Sequence, residues 1–169
     1  MGYREQIVAQ AKYWAEPGSY HPSAEDFRWI CDHAKLNVRP TDAELTDTSG
    51  HMSGDMKVGG GTRSWCGIFA VALWNYCGIG AKWTLNPNPI NVLHCPGVNW
   101  KVVYGKHGYG IRKGDIGYIP KHQHHFIITD VSNTAVCSVD GNQANNYIIE
   151  HNVWTRYLSD ITAYYTFDV

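Results

Sequence analysis

Apolar positions recur at helical spacing near the start of the chain. Ile7, Ala11 and Trp14 fall on one face before Pro17-Gly18 breaks the pattern. Ser23-Ala24-Glu25-Asp26 has the form of a helix start, a hydroxyl followed by carboxylates in the first turn. Phe27, Ile30, Cys31 and Ala34 continue it as a second amphipathic helix, closed by Pro40. From Thr41 to Thr62 no period survives, and Gly50, Gly54 and Gly59-Gly60-Gly61 predict a flexible loop of a length usually kept for function. The stretch from Trp65 to Cys77 is then almost wholly apolar. Its length and the Phe69, Leu73, Trp74, Cys77 spacing predict a buried helix of about three turns, capped by Gly78. Asn86-Pro87-Asn88-Pro89 makes the next segment irregular. Beyond Gly114, strand-like runs cover Ile116–Ile119, His125–Val131, Ala135–Val139, Tyr147–Asn152 and Ile161–Phe167, with a turn at Ser132-Asn133. Helices first, one central buried helix, then an antiparallel sheet is an α+β layout.

A chain of 169 residues fits one domain, with 1–62 as a helical part plus Gly-rich loop and 63–169 as the core that carries the chemistry. The formal net charge of -1 gives no electrostatic case for nucleic acid or an anionic membrane surface. No run of about 18 apolar residues predicts a membrane span. The first residues lack the apolar core of a signal peptide. The expectation is therefore synthesis in the cytoplasm. Cysteines at 31, 66, 77, 95 and 137 are odd in number and contain no CxxC pair, against both a disulfide framework and a Cys-rich zinc site. His122, His124 and His125 cluster without carboxylate or Cys partners at ligand spacing, so no metal and no cofactor is expected.

Cys66 stands apart from the other cysteines. It opens the apolar helix, where unpaired N–H groups and the helix dipole favour a thiolate, a glycine-rich loop precedes it, and Gly67 is expected to leave its near side open. Cys31, Cys77 and Cys137 sit in periodic apolar patterns and read as core; Cys95, beside Pro96-Gly97, reads as a loop thiol. A nucleophilic thiol needs a base and a group to orient that base. His125 opens a strand and is placed to face a helix packed on the sheet, with His124 one residue out of register. Asp140 and Asn142, with Gly141 expected to let the backbone turn tightly between them, offer oxygens that could accept from an imidazole N–H. Trp65, Trp83 and Trp100 are candidate groove walls, with core packing the commoner role for each.

Four segments in order carry a family resemblance: Trp65-Cys66-Gly67-Ile68-Phe69, Lys113-Gly114-Asp115-Ile116-Gly117-Tyr118, His125-Phe126-Ile127-Ile128 and Asp140-Gly141-Asn142-Gln143. Together they resemble the CHAP and NlpC/P60 superfamily of cysteine amidases, most closely its CHAP branch, over residues 63 to 156. The resemblance implies a papain-like fold and hydrolysis of amide bonds in bacterial peptidoglycan. It puts the nucleophile on Cys66, the base on His125 and the orienting group on Asp140 or Asn142, with Trp65, Gly67 and His124 beside the substrate. The usual Gln before the Cys is missing, which leaves the Cys66 backbone N–H as the expected oxyanion donor. A phage lysis enzyme or an antibacterial effector acting at the cell wall fits a single compact domain. The effector would have an immunity protein or a secretion machine as partner. A toxin that cleaves or deamidates a protein in a target cell is the alternative with the same chemistry.

Overall fold

The computed structural model describes residues 1–50, 55–85, 93–94 and 100–168. Helix α1 (Tyr3–Trp14) turns Ile7 and Ala11 inward. A two-residue strand, β1 (Ser19–Tyr20), leads to α2 (Ala24–His33), which buries Phe27, Ile30 and Cys31. The cap of α2 is a full capping box. Asp26 N–H donates to Ser23 Oγ at 3.2 Å and Ser23 N–H donates to the Asp26 carboxylate at 2.8 Å, so two N–H groups with no helical acceptor are satisfied.

The stretch expected to be a loop holds a third helix, α3 (Asp42–Gly50), and a hairpin of β2 (Met56–Val58) and β3 (Gly61–Arg63). Helix α3 escapes a periodicity reading because it buries only Leu45 and Thr48. Its start carried a local signal all the same. Thr41 and Glu44 form the reciprocal pair, Thr41 N–H to Glu44 Oε1 at 3.0 Å and Glu44 N–H to Thr41 Oγ1 at 3.2 Å. Gly59 and Gly60, at φ +62° and +75°, make the tight hairpin turn that needs two left-handed residues. Gly60 N–H then donates to Glu44 Oε2 at 3.1 Å, which ties the hairpin to α3.

Helix α4 (Cys66–Tyr76) is buried from Cys66 through Trp74. It ends as expected at Gly78, where Ile79 N–H donates to Trp74 O at 2.9 Å and Gly78 N–H to Asn75 O at 3.0 Å, with Gly78 at φ +92°. A short pairing of β4 (Lys82–Trp83) with β5 (Leu93–His94) follows, and then β6 (Trp100–Tyr104). The remaining strands are β7 (Ile116–Ile119), β8 (His124–Val131), β9 (Ala135–Gln143), β10 (Tyr147–Tyr157) and β11 (Ala163–Phe167). They form one antiparallel sheet of seven strands, ordered β1-β10-β9-β8-β7-β11-β6. The α+β class therefore stands, with four helices among the described residues and a sheet larger than the five expected strands. Strand β6 has little alternation of its own and exists through its partner, Phe167 pairing with Trp100 and Ala163 with Tyr104. The Asn86-Pro87-Asn88-Pro89 segment and Cys95 lie outside the described residues.

Period-2 alternation gives the sheet two working faces. Ile127 and Val139 join the main core beneath α4, whereas Phe126, Ile128 and Val136 form a second cluster on the opposite face. The Gly114-Asp115 motif fixes how helices meet sheet. Trp74 Nε1 donates to Gly114 O at 2.8 Å, and the buried Asp115 carboxylate accepts from Arg4 of α1 at 2.7 Å and from Arg112 N–H at 2.8 Å. Among the described residues no helix is long and apolar enough to cross a membrane.

Candidate active site

Cys66 is the first residue of α4. The first intrahelical bond of the helix is Phe69 N–H to Trp65 O at 2.9 Å, so the N–H groups just before it have no helical acceptor. Three groups converge on the sulfur. Ser64 Oγ lies 3.4 Å from Sγ, His125 N–H donates to it across 3.4 Å, and His125 Nδ1 lies 4.0 Å away. Gln123 O is a further neighbour of the sulfur at 3.8 Å, and the His124 ring, at the start of β8, also acts to lower the thiol.

The two histidines divide at the sheet. The Ile127–Val139 register sets Phe126 opposite Asp140 and His124 diagonal to it on the same face, within reach of a long side chain. His124 Nε2 accordingly meets Asp140 Oδ2 at 2.6 Å. Asp140 is fully buried and further held by Ser138 Oγ at 2.5 Å and by Arg156 Nη1 at 2.8 and 3.0 Å. His125 points the other way, among Trp83, Tyr118 and Tyr165, with ring centroids 4.8 to 5.9 Å away, and its buried Nε2 has no hydrogen-bond partner. The carboxylate expected to orient His125 thus belongs to His124, one residue earlier. Strand alternation favours His125 because that parity faces α4, but Asp140 has the opposite parity.

Electrostatics follow the same line. Burial alone would push the Cys66 thiol up, but the neighbouring His124 and His125 hold it well below its ordinary value. Burial likewise disfavours an imidazolium at His124, and the Asp140 carboxylate and the Cys66 sulfur outweigh it, raising that group from 6.5 to about 9. Asp140 also resists its burial. The His124 hydrogen bond and the Arg156 charge lower it from 3.8 to about 2. Each shift favours the charged form: thiolate at Cys66, imidazolium at His124 and carboxylate at Asp140. By contrast burial raises Cys31 to about 12 and Cys77 to about 11, as expected of core thiols.

The other expected residues are distributed as follows. Asn142 reaches neither imidazole; its Nδ2 donates to Ser64 Oγ at 3.0 Å and to Asp55 Oδ1 at 3.2 Å. Gly141 stays within β9 and does not turn the chain, because a Cβ there would stand 2.8 Å from the Trp65 ring. Trp65 is no groove wall. It is fully buried against Phe27 and Phe69, and its Nε1 donates to Asn146 Oδ1 at 2.8 Å. Gly67 is closed where an open side was expected, since its missing Cβ is the place where the Trp83 ring packs, 2.1 Å from the nearest ring carbon. A cleft of about 540 Å³ is lined by Ser64, His124, Asn142, Gln143, Arg156 and Asp55.

Ser64 and Arg156 are the additions that sequence reasoning did not make. Ser64, a hydroxyl two residues before a nucleophilic thiol, was visible as a candidate. Arg156 was not, because it reaches Asp140 only through a register break in β10 between His151 and Arg156. Among the described residues no group of three or more His, Cys, Asp or Glu side chains could hold a metal ion. Comparison with protein-family models, with curated proteins and with solved structures finds no match to this chain.

Proposed function

We propose that this chain is a cysteine amidohydrolase of papain-like architecture that cuts amide bonds in the peptide part of bacterial peptidoglycan. The observation that supports the chemistry is a buried thiol at a helix start, held low by two adjacent histidines, one of which, His124, is held high by Asp140. The substrate class rests on the motif resemblance to the CHAP and NlpC/P60 amidases.

In this mechanism the Cys66 thiolate attacks the amide carbonyl and the C–S bond forms as the carbonyl electron pair moves to oxygen. The backbone N–H groups at the start of α4 are the donors nearest to that oxyanion. His124, protonated at rest, gives its proton to the leaving nitrogen as the C–N bond breaks. Neutral His124 then takes a proton from water, the hydroxide adds to the thioester, and the C–S bond breaks to restore thiolate and imidazolium. Asp140 fixes the His124 ring through Nε2, and in this reading the other ring nitrogen serves the sulfur; the Arg156 charge keeps that carboxylate ionised. His125 contributes its backbone N–H to the sulfur, and its ring helps to hold the thiol low.

Limiting iodoacetamide at mildly acidic pH, followed by peptide mapping, tests the nucleophile without knowledge of the substrate. Cys66 should be alkylated before Cys31, Cys77 and Cys137. Preferential labelling of any of those three would remove the basis of the proposal.

A further inference from the structure

Cys66 has a second line of hydrogen bonds, independent of the histidines, that the mechanism above does not use. Asn142 Nδ2 donates to Ser64 Oγ at 3.0 Å and to Asp55 Oδ1 at 3.2 Å, and Ser64 Oγ lies 3.4 Å from Cys66 Sγ. A hydroxyl has one proton to give. Because Ser64 Oγ already accepts from Asn142, its proton is free for the sulfur, the remaining neighbour within reach. Asn142 is fixed for that role by its backbone, at φ +55° where β9 ends, a conformation asparagine tolerates better than most residues. Ser64 itself is exposed and lines the cleft beside His124, so its hydroxyl is within reach of both solvent and the sulfur.

We infer that Ser64 is a catalytic residue, a hydroxyl donor that holds the Cys66 sulfur at rest and turns to the oxyanion once the C–S bond has formed, with Asn142 and Asp55 as its positioning residues. The inference rests on the amidohydrolase reading. No proton is transferred: the Ser64 hydrogen bond moves from sulfur, whose negative charge is lost on attack, to the carbonyl oxygen that acquires it. When the C–N bond breaks and the carbonyl reforms, the hydrogen bond relaxes, and it repeats the exchange during hydrolysis of the thioester. Rotation about one Cα–Cβ bond is the only motion required. This supplies a side-chain donor to accompany the helix-start N–H groups, in a chain that lacks the glutamine expected before the nucleophile.

The test compares Ser64→Ala, Ser64→Thr and Asn142→Ala with wild type in two assays. Iodoacetamide inactivation measured across pH reads the resting contact with sulfur, and peptide release from purified sacculi reads turnover. Ser64→Ala should move the alkylation midpoint to higher pH and lower turnover by about 10²- to 10³-fold, the loss seen when one oxyanion donor is removed. Ser64→Thr keeps a hydroxyl and should restore most of both, while Asn142→Ala should fall between. An unchanged alkylation profile and unchanged sacculus digestion in Ser64→Ala would overturn the inference and leave the amidohydrolase reading standing. If wild type leaves sacculi untouched, binding of a short peptide aldehyde, which forms a tetrahedral adduct with Cys66, replaces the second assay. Weaker adduct formation by Ser64→Ala then supports the donor, and equal formation overturns it, whatever the natural substrate.

Discussion

His124 Nε2 and Asp140 Oδ2 lie 2.6 Å apart in a buried pocket, and this contact gives His124 an orienting carboxylate that the adjacent His125 lacks. The carboxylate needs a proton donor at that distance, so Nε2 carries a proton, and the proposed mechanism assigns the other ring nitrogen to the sulfur. His125 has no comparable partner at its far nitrogen.

Replacement of the two histidines should therefore have different consequences. His124→Ala removes acid and base together and should cut turnover by about 10²- to 10⁴-fold with modest change in stability. His125→Ala should keep more activity but leave a void among Trp83, Tyr118 and Tyr165, costing about 1–3 kcal/mol. Turnover and urea unfolding of both variants separate the two effects. Equal loss of turnover in both would return the base to His125.

Asp140→Asn keeps the shape of the side chain but allows the wrong His124 tautomer, so turnover should fall by about 10³- to 10⁴-fold. It also leaves the Arg156 guanidinium without its buried carboxylate. Asn142→Ala should leave far more activity, since its amide reaches Cys66 only through Ser64. Rates for the two variants on one substrate check the ranking.

The same groups set a pH window for stability. Asp140 is lowered from 3.8 to about 2, so its contribution is complete above about 4 and is lost as pH falls through about 2. His124 is raised from 6.5 to about 9, so its contribution is complete below about 6.5 and is lost as pH rises through about 9. The stability that the pair supplies should be greatest between about pH 4 and 6.5. The difference in melting temperature between wild type and His124→Ala should narrow between pH 7 and 10. A difference that grows over that range would contradict the imidazolium–carboxylate pair.

Gly67 tests packing and not chemistry. A Cβ at this position would collide with the Trp83 ring, which itself packs edge-on to His125 at 5.2 Å. Gly67→Ala should destabilise the fold by about 1–3 kcal/mol in thermal unfolding. A neutral effect would mean that Trp83 can move without cost.

Much of the site was legible because its parts are local signals. Cys66 announces itself by opening an apolar helix, Ser23 and Asp26 by their spacing, and Gly78 by ending the helix that it caps. What stayed hidden depends on pairing between distant segments. Strand β6 is made by β11, and Arg156 meets Asp140 through a register break. The choice between His124 and His125 turns on the parity of Asp140 relative to β8, which no pattern within either strand contains. Gly67 and Gly141 were read as freedom, of access and of turning. In the fold both are contact sites, for Trp83 and for Trp65, because an absent side chain leaves room for a neighbour. Helix α3 was missed for a different reason, since only Leu45 and Thr48 face inward, although Thr41 and Glu44 marked its start.

The most direct measurement incubates purified sacculi with wild type, Cys66→Ala and His124→Ala, all folded by far-ultraviolet circular dichroism, and identifies released fragments by mass. Wild type should release soluble peptides, each cut leaving one new amine and one new carboxylate; Cys66→Ala should release none above the enzyme-free control, and His124→Ala no more than about a hundredth of the wild-type amount. Release of the same fragments by folded Cys66→Ala would contradict the account.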